Sequence, residues 1–415
     1  MPKSKFASKR IKILFIDHTP FVGGAQICLA KDLEYIDRKK FQPILMIDKA
    51  CKHESIFKKS RVKILRINFG HLKKIHPAAI SEFLTSVKQL LDIIDQEKPD
   101  LVVTNTIKAL FLAGLVKDYK FSQGLLKRDK QNHHNFKLVA RIWDWEYPNW
   151  LINTLRVSVD KFLLVSKSVE GFYKLKKPKS EVVYLGSGIH NKLKVKQILP
   201  LLRKGKSAKL KVERLKKEMG IEKGDFVVGF TGRLVEWKGP LFLFNSFRKI
   251  NDPRLKLIFF GTGKGQEDSV EEKLKKEIKK RKLEKRVLLP GFIEDQTLIY
   301  AMMNCFVQAS IEKDPFAINM IEAALFRVPI IATHIGGTPE FIKSGKNGLL
   351  VKPKDTNQLA QALLRLYKEK RLAKRLAGNA YKDVQKFKEE RFIKNLERIY
   401  EVTSAVKVKN NKKKQ

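Results

Sequence analysis

An arginine and a lysine follow a predicted β-strand closely, and side chains of these two types at this spacing can bind phosphate groups. The run Phe226–Thr231 predicts a strand, and the sequence G-R-L-V-E-W-K-G that follows it carries Arg233 and Lys238. Two cations at the end of a strand can hold a diphosphate and stabilise the charge that grows on it as a bond to it breaks. Because the chain has 86 Lys and Arg residues, it is the position of these two that favours a diphosphate site.

Two carboxylates form a second candidate group. Asp314 comes after the predicted strand Cys305–Gln308, and Glu322 lies eight residues later among apolar residues. Pro315 suits the first turn of a helix with Asp314 as its N-cap, and a continuous helix would separate the two acids by about 12 Å. A buried carboxylate needs partners, which favours a binding role for Glu322, whereas simple capping is the alternative for Asp314.

Glycines follow several of the predicted strands. Gly23 and Gly24 occur in D-H-T-P-F-V-G-G-A-Q, directly after the first strand, and His18 stands just before them. Glycines in such a turn let backbone N–H groups approach a phosphate at a helix N-terminus, although an ordinary tight turn explains this motif better when it is taken alone. Further glycine loops occur at Gly261–Gly263 and Gly336–Glu340.

These residues require strands that end at one edge of a sheet. Short apolar runs alternate with helical patterns and predict strands at Ile11–Ile16, Pro43–Ile47, Val62–Ile67, Leu101–Thr104, Leu138–Ile142, Lys161–Val165, Val182–Leu185, Phe226–Thr231, Leu255–Phe260, Val287–Leu289, Cys305–Gln308, Pro329–Thr333 and Leu349–Val351. The clearest helical stripe consists of Ile80, Phe83, Leu84, Val87, Leu91 and Ile94. Near-continuous apolar strands separated by helices indicate parallel sheets covered on both faces.

The pattern predicts an α/β protein with two doubly wound, Rossmann-like domains that face a central cleft. We place the first domain at residues 1–190 and the second at residues 191–387, with the C-terminal segment 388–415 packing back on the first. Open α/β sheets bind ligands at the carboxyl ends of their strands. The cleft between two such sheets is therefore the expected active site.

The order of the motifs resembles the family-4 retaining glycosyltransferases of the GT-B fold. The motifs are G-G-A at the first turn, G-R-L-x-x-x-K-G, G-T-G, an acid followed eight residues later by Glu, G-G-x-P-E and N-G-x-L-V-x-P-x-D. The match is strongest over residues 226–356 and weaker before them. The resemblance implies that the second domain holds a nucleotide-sugar, with a UDP- or GDP-sugar expected and no essential metal, and that the first domain is on the acceptor side.

The resemblance also implies a role for each matching residue. Arg233 and Lys238 correspond to the diphosphate cations, and Asp314 takes the place of the first Glu of the family's acidic motif. Donor contacts are further expected from Glu322 on the ribose hydroxyls, from backbone N–H groups on the phosphate, from the first glycine loop and from the walls around the base: Phe316, Ala317, Ile318, Asn319, Gly23, Gly24, Phe292 and Ile293.

Two positions depart from the family's pattern. Asp314 is one methylene shorter than the usual Glu, so we expect activity with altered sugar contacts. Trp143 stands where the family often has a His, and Asp144 follows it, so the sugar or acceptor side is assigned to Trp143, Asp144 and His18. Trp143, Trp145, Tyr147 and Trp150 form an aromatic cluster that suits either sugar stacking, a membrane interface or a hydrophobic plug.

Composition limits the setting of this activity. The chain has 415 residues and a formal net charge of +43, a field that attracts polyanions if it is not simply a solvated Lys-rich surface. No apolar run reaches the roughly 18 residues of a membrane span, and no secretory signal is recognised. Three scattered cysteines indicate a reducing compartment. We therefore expect a cytoplasmic protein that is able to associate with the inner face of a membrane.

The sequence as a whole predicts a retaining transferase that moves a hexosyl unit from a nucleotide-diphosphate sugar to a hydroxyl of a glycan or lipid-linked acceptor. An anionic membrane surface is a further expected partner, and no specific nucleic acid is expected. Three alternatives remain at this point: a nucleotide-sugar epimerase of the same fold, a polyanion-binding protein on a catalytically weak scaffold, and a partner subunit of an active transferase.

Overall fold

The computed structural model describes residues 9–20, 23–69, 77–118, 134–145, 148–175, 177–185, 206–293, 295–312, 314–387 and 389–411. The chain divides into two compact units. The first consists of Met1–Gly186 together with Glu390–Gln415, and the second of Ser187–Glu389.

The first unit is built on a seven-stranded sheet. Its strands are β1 (Ile11–Asp17), β2 (Phe41–Asp48), β3 (Lys63–Ile67), β4 (Leu101–Thr104), β5 (Lys137–Ile142), β6 (Lys161–Leu164) and β7 (Ser180–Val182). All neighbours are parallel, in the order β3-β2-β1-β4-β5-β6-β7. The predicted parallel sheet is therefore confirmed, with β7 beginning two residues earlier than the apolar run indicated.

Helices lie between these strands. They are α1 (Gly24–Tyr35), α2 (Pro77–Glu97), α3 (Ile107–Lys117), α4 (Asn149–Leu155) and α5 (Lys167–Phe172), with a 3₁₀ turn at Glu54–Ser60. The stripe predicted from spacing lies on α2, where Val87, Leu91 and Ile94 are fully buried. Its apolar face therefore packs on the sheet, as the 3.6-residue period requires.

The second unit has a six-stranded parallel sheet in the order β10-β9-β8-β11-β12-β13. Its strands are β8 (Phe226–Thr231), β9 (Leu255–Phe260), β10 (Val287–Gly291), β11 (Cys305–Gln308), β12 (Ile330–Thr333) and β13 (Leu349–Val351). Its helices are α6 (Lys206–Glu218), α7 (Pro240–Phe247), α8 (Glu271–Lys280), α9 (Gln296–Met302), α10 (Ile318–Leu325), α11 (Thr338–Phe341), α12 (Thr356–Lys368) and α13 (Lys370–Asp383), with 3₁₀ turns at Glu236–Lys238 and Val384–Phe387.

The C-terminal helix α14 (Glu389–Asn411) packs on the first unit through a buried charge. Arg141 on β5 donates from Nη1 to Asp32 Oδ2 on α1 at 2.5 Å, and from Nη2 to the Tyr400 hydroxyl on α14 at 2.5 Å. The side chains of Arg141 and Asp32 are each only 3% exposed. A buried guanidinium is costly without such partners, so these contacts fix where α14 lies.

Each sheet reverses its strand order once. The reversal lies between β1 and β4 in the first unit and between β8 and β11 in the second. At such a point the loops after the two strands leave in opposite directions, which opens a crevice at the carboxyl ends of the strands. These two switch points are therefore where ligands are expected. None of the described helices combines the length and apolar character needed to cross a bilayer.

Candidate functional site

The loops after β8 and β11 lie against each other at the switch point of the second sheet. The Ile311 N–H donates to the Trp237 carbonyl at 2.9 Å. Gly239 has a φ of +70°, and a Cβ on it would come within 2.0 Å of the Ala309 carbonyl oxygen. Only glycine fits this approach, so it brings the cation-bearing loop into backbone contact with the acid-bearing loop.

Lys238 and Asp314 meet as an ion pair. Lys238 Nζ is 2.6 Å from Asp314 Oδ2, and the two side chains are 16% and 4% exposed. The same oxygen accepts hydrogen bonds from Gln308 Nε2 at 2.8 Å and from Ser310 Oγ at 3.0 Å. Three donors therefore hold this carboxylate, and it in turn holds the ammonium group in one place.

The prediction that a helix starts at Pro315 with Asp314 as its N-cap is wrong. The helix α10 begins at Ile318, after the N-cap residue Ala317. The preceding segment is extended along a pair of glycines: the Gly337 N–H donates to the Asp314 carbonyl at 3.0 Å, and a Cβ on Gly336 would lie 2.0 Å from that oxygen. Backbone packing thus replaces the first helical turn, and the 12 Å separation based on a continuous helix does not apply.

Of the four backbone positions assigned to phosphate contacts, two lie before α10 and two begin it. Phe316 and Ala317 are buried, with the Phe316 ring stacked on Phe387 at 5.7 Å between centroids. Ile318 and Asn319 form the first turn. Asn319 Nδ2 donates to the Thr231 carbonyl at 3.0 Å, so the helix start is tied to the end of β8.

Arg233 is exposed and close to Lys238. Its Nη1 donates to Gln266 Oε1 at 2.9 Å. The ring of Trp237 lies 5.6 Å from the Arg233 guanidinium carbon and 4.1 Å from Lys238 Nζ. One indole therefore contacts both cations, and cation–π attraction favours keeping the two charges near each other.

Glu322 is buried at 6% exposure on α10. It accepts a hydrogen bond from the Tyr300 hydroxyl, which lies 2.7 Å from Oε2. Burial and the neighbouring Glu322 charge raise the pKa of Tyr300 well above its usual value, so this hydroxyl remains a donor. The sequence indicated that this carboxylate needs a partner, but Tyr300 carried no signal because it lies on a different helix, α9.

Two further predicted contacts lie at the end of β10. The Phe292 side chain is 73% exposed, and Ile293 is half-buried. The neighbouring loop after β9 is fixed by Glu271, which accepts hydrogen bonds from Thr262 Oγ1 at 2.6 Å and from the Gly263 N–H at 2.7 Å. Burial alone would raise the pKa of Glu271, but these bonds and the Lys275 ion pair outweigh it and lower the pKa to about 2.

In the first unit, the glycine loop is connected to a buried carboxylate. Gly23 precedes α1, which begins at Gly24, and the Gly23 N–H donates to Gln26 Oε1 at 3.0 Å. Gln26 Nε2 donates in turn to Asp17 Oδ2 at 3.0 Å. Asp17 ends β1 and is 2% exposed, so the loop that was assigned to phosphate binding is anchored on the first strand of the sheet.

The same carboxylate reaches the tryptophan assigned to the sugar side. Asn105 follows β4 and donates from Nδ2 to Asp17 Oδ2 at 2.5 Å. Trp143 follows β5 and donates from Nε1 to the Asn105 carbonyl at 2.9 Å and to Oδ1 at 3.1 Å. Asp17, Asn105 and Trp143 therefore form one hydrogen-bonded chain across three strand ends at the switch point.

His18 lies beside this chain. Its Nδ1 is 2.6 Å from the Thr106 hydroxyl. Burial, and then the charge of Lys108, lower the pKa of His18 to about 4, so the ring is neutral at pH 7. Asp144 is partly buried directly after Trp143. Of the predicted aromatic cluster, Trp145 packs edge-on against Phe172, Trp150 is exposed, and Tyr147 lies outside the described residues.

The structure thus places Arg233, Lys238 and Asp314 at the switch point of the second sheet, and His18 and Trp143 beside that of the first, whereas Phe292 and Ile293 follow the edge strand β10. Sequence reasoning missed the polar residues that support them, which are Asp17, Gln26, Asn105, Thr106, Gln308, Ser310 and Tyr300. Several of these come directly after a predicted strand, and that position was the available signal. Among the described residues, no group of three or more His, Cys, Asp or Glu side chains is placed to hold a metal ion.

Known proteins resemble this chain in sequence and in fold. Residues 211–383, which include the second switch point, match the model of the family described as "Glycosyl transferases group 1". The N-acetyl-alpha-D-glucosaminyl L-malate synthase of Bacillus anthracis is 29% identical over 191 residues, which is 45% of this chain and 48% of that protein. The chain spans about half the length of the curated relatives it matches.

Solved structures extend the likeness over nearly the whole chain. Anabaena HepE in complex with UDP has a TM-score of 0.76 at 20% identity, covering 94% of this chain and 100% of that one. A glycosyltransferase from Rickettsia africae also has a TM-score of 0.76 at 20% identity, covering 95% and 98%. At this identity the structures show the fold alone. The fold is that of the GT-B glycosyltransferases, with two parallel Rossmann-like sheets and flanking helices.

Proposed function

We propose that the protein is a retaining glycosyltransferase of the family-4 type, which moves a hexosyl unit from a nucleotide-diphosphate sugar to a hydroxyl of a glycan or lipid-linked acceptor. The carrying observation is the Lys238–Asp314 ion pair beside Arg233, at the switch point of the unit that matches the glycosyltransferase model. The names of similar proteins, which include complexes with UDP and UDP-glucose, support a UDP-sugar as donor, and a GDP-sugar is the alternative.

In this proposal the second unit holds the donor. Arg233 and Lys238 bind the diphosphate, and they stabilise it most strongly as its negative charge grows in the transition state. Asp314 positions Lys238 and lies where the transferred sugar is expected. The other donor contacts are Glu322 on the ribose hydroxyls, Phe292 and Ile293 on the base, and the start of α10 at Ile318 and Asn319 on the phosphate.

The first unit supplies the acceptor side. Gly23 and Gly24 approach the diphosphate, whereas His18, Trp143 and Asp144 line the acceptor or sugar side. The incoming hydroxyl attacks on the face from which the diphosphate leaves, with no covalent enzyme intermediate. Positioning and charge stabilisation then account for most of the rate enhancement. No essential metal is part of this proposal, since the two cations meet the charge of the leaving group.

Donor binding and product stereochemistry test the proposal. UDP-, GDP- and ADP-sugars are compared by thermal shift, because a ligand stabilises the native state according to its affinity. The matching donor is then incubated with glycan and lipid-linked acceptors, and the anomeric configuration of the product is determined. Donor consumed without an acceptor and converted to another sugar would establish an epimerase instead, and an inverted product would contradict retention.

The variant Arg233→Ala/Lys238→Ala tests the site itself. We expect turnover to fall by at least about a hundredfold, because the charge of the leaving group loses both cations. The matched control is Arg248→Ala/Lys256→Ala in the same unit, where Lys256 forms an ion pair with Asp225 at 3.6 Å and its side chain is 12% exposed. If both double variants keep wild-type turnover, the proposed diphosphate site is wrong.

A further inference from the structure

The helix α4 carries a large apolar side chain on its outer surface. Trp150, in its first turn, is 66% exposed, and Val157, just beyond its end, is 87% exposed. Arg156 between them keeps right-handed helical dihedral angles. Val157 therefore follows Trp150 by two helical turns, on the same face and about 10 Å along the axis. Single exposed apolar residues are ordinary, but a tryptophan and a valine aligned on one helix face form a surface.

Basic residues gather at the C-terminal end of the same helix. Arg156 Nη2 donates to the Lys174 carbonyl at 3.2 Å, and Lys179 Nζ donates to the Arg156 carbonyl at 3.0 Å. Lys174, Lys177 and Lys179 are exposed. These contacts keep the segment that carries the lysines at the end of α4, next to the backbone of Arg156, so cationic groups adjoin the exposed Val157.

Nearby acids do not cancel this charge. Asp160 and Glu181 each contact two cations, which are Lys117 and Lys137 for the first and Lys161 and Arg398 for the second. Each acid is thus already neutralised by residues other than those at the end of α4. Glu170, which accepts a hydrogen bond from Ser180 Oγ at 2.7 Å, offsets one positive charge, but the exposed Lys174, Lys177 and Lys179 outnumber it, so the local charge is positive.

We propose that the α4 surface, formed by Trp150, Arg156, Val157, Lys174 and Lys179, docks on an anionic lipid bilayer. Indole rings favour the interface between headgroups and acyl chains, and lysines beside them are attracted to anionic headgroups. The formal net charge of +43 adds long-range attraction to the same kind of surface. This inference deepens the proposed function, because a lipid-linked acceptor lies in a bilayer and α4 follows the loop that carries Trp143.

The apolar part is tested by sedimentation with phosphatidylcholine vesicles that contain phosphatidylglycerol. We expect Trp150→Ser/Val157→Ser to lower the partition coefficient about tenfold or more, because it removes the apolar area that would enter the interface. The matched control is Leu210→Ser/Val402→Ser, since these residues are 62% and 59% exposed on other helices. The control should stay within about twofold of wild type, by the same area argument.

The electrostatic part needs a control of equal net charge. Lys174→Glu/Lys179→Glu should lower the partition coefficient by more than about tenfold, at about fivefold for each lysine lost near an anionic surface. Lys276→Glu/Lys280→Glu changes the total charge equally on the exposed face of α8 and should have a smaller effect. Binding by wild type should also weaken with salt and be absent on pure phosphatidylcholine.

Three outcomes would overturn the inference. One is equal loss of binding in the two charge variants, which would assign attraction to total charge and not to the α4 surface. Another is unchanged binding in Trp150→Ser/Val157→Ser. The third is a wild-type dimer that this variant converts to a monomer, which would make a second copy of the chain the occupant. Vesicle binding requires no donor sugar, so its result stands apart from any test of glycosyl transfer.

Discussion

At the switch point of the second sheet Lys238 and Asp314 form an ion pair, whereas at that of the first sheet Asp17 accepts hydrogen bonds from neutral groups. The cation nearest to Asp314 is bound to it directly. The histidine next to Asp17 is neutral at pH 7. The same topology thus supports a carboxylate paired with a cation in one unit and a carboxylate held by uncharged donors in the other.

This difference is what transfer of a sugar would require. A diphosphate carries negative charge that grows as it leaves, so its site needs cations fixed in advance. An acceptor hydroxyl is neutral, and a carboxylate that is held by uncharged donors, without a paired cation, can support such a site without attracting a second anion. The following predictions separate the two sites, beginning with the variant of largest expected effect.

Removal of the acid that holds Lys238 should be the most damaging change. Asp314→Ala leaves a largely buried ammonium without its carboxylate, so we expect a loss of about 3 kcal/mol in unfolding free energy. It should also lower turnover by at least about a hundredfold, because Lys238 is no longer fixed against the leaving group. Urea unfolding and steady-state kinetics at saturating donor measure the two effects.

The control is a similar pair at the opposite edge of the same sheet. Asp225 precedes β8 and pairs with Lys256 at 3.6 Å, with 7% of its side chain exposed. Asp225→Ala should cost comparable stability and leave turnover unchanged. A similar fall in turnover in both variants would mean that Asp314 matters only for folding.

The sequence alone was sufficient to predict where the strands lie. It was less successful in predicting the conformation of the loops between them. Apolar runs such as Phe226–Thr231 and Cys305–Gln308 match β8 and β11 residue for residue, because a parallel strand buried on both faces needs continuous apolar sequence. The start of α10 was misplaced at Pro315. What displaced it was backbone contact with Gly336 and Gly337, which are distant in sequence.

Supporting partners were harder to predict than the residues they support. Glu322 was identified by its apolar neighbours, but Tyr300 comes from another helix and looks like an ordinary core aromatic. Asn105 and Gln26 both bond to Asp17, although they are 88 and 9 residues away from it along the chain. Local pattern does not encode such pairing, because it depends on which strands become neighbours.

The neutral state of His18 gives the first site a signature in its pH dependence. The pKa of His18 is lowered by burial to about 4 from 6.5. Between these values the unfolded chain binds a proton that the native state does not, so native stability must fall as pH falls through this window. We expect wild type to lose about 1–2 kcal/mol more than His18→Asn between pH 7 and pH 5 in urea unfolding.

A variant in the other unit sharpens this test. The pKa of Glu271 is lowered to about 2 from 4.5, so its contribution to stability is complete above pH 4.5 and is lost only as pH falls towards 2. Glu271→Gln should therefore keep the wild-type dependence between pH 7 and pH 5. If His18→Asn keeps it as well, the neutral histidine is not part of the native first site.

The smallest expected effect comes from a single N–H group. Trp143→Phe keeps an aromatic ring but removes the donor to the Asn105 carbonyl and Oδ1. We expect an acceptor KM about fivefold higher, equivalent to about 1 kcal/mol for one lost hydrogen bond, with donor KM unchanged. The control is Trp145→Phe, since that ring packs on Phe172 in the same loop region. A rise in donor KM equal to that in acceptor KM would place Trp143 on the donor side. It would also contradict the assignment of donor binding to one switch point and acceptor binding to the other.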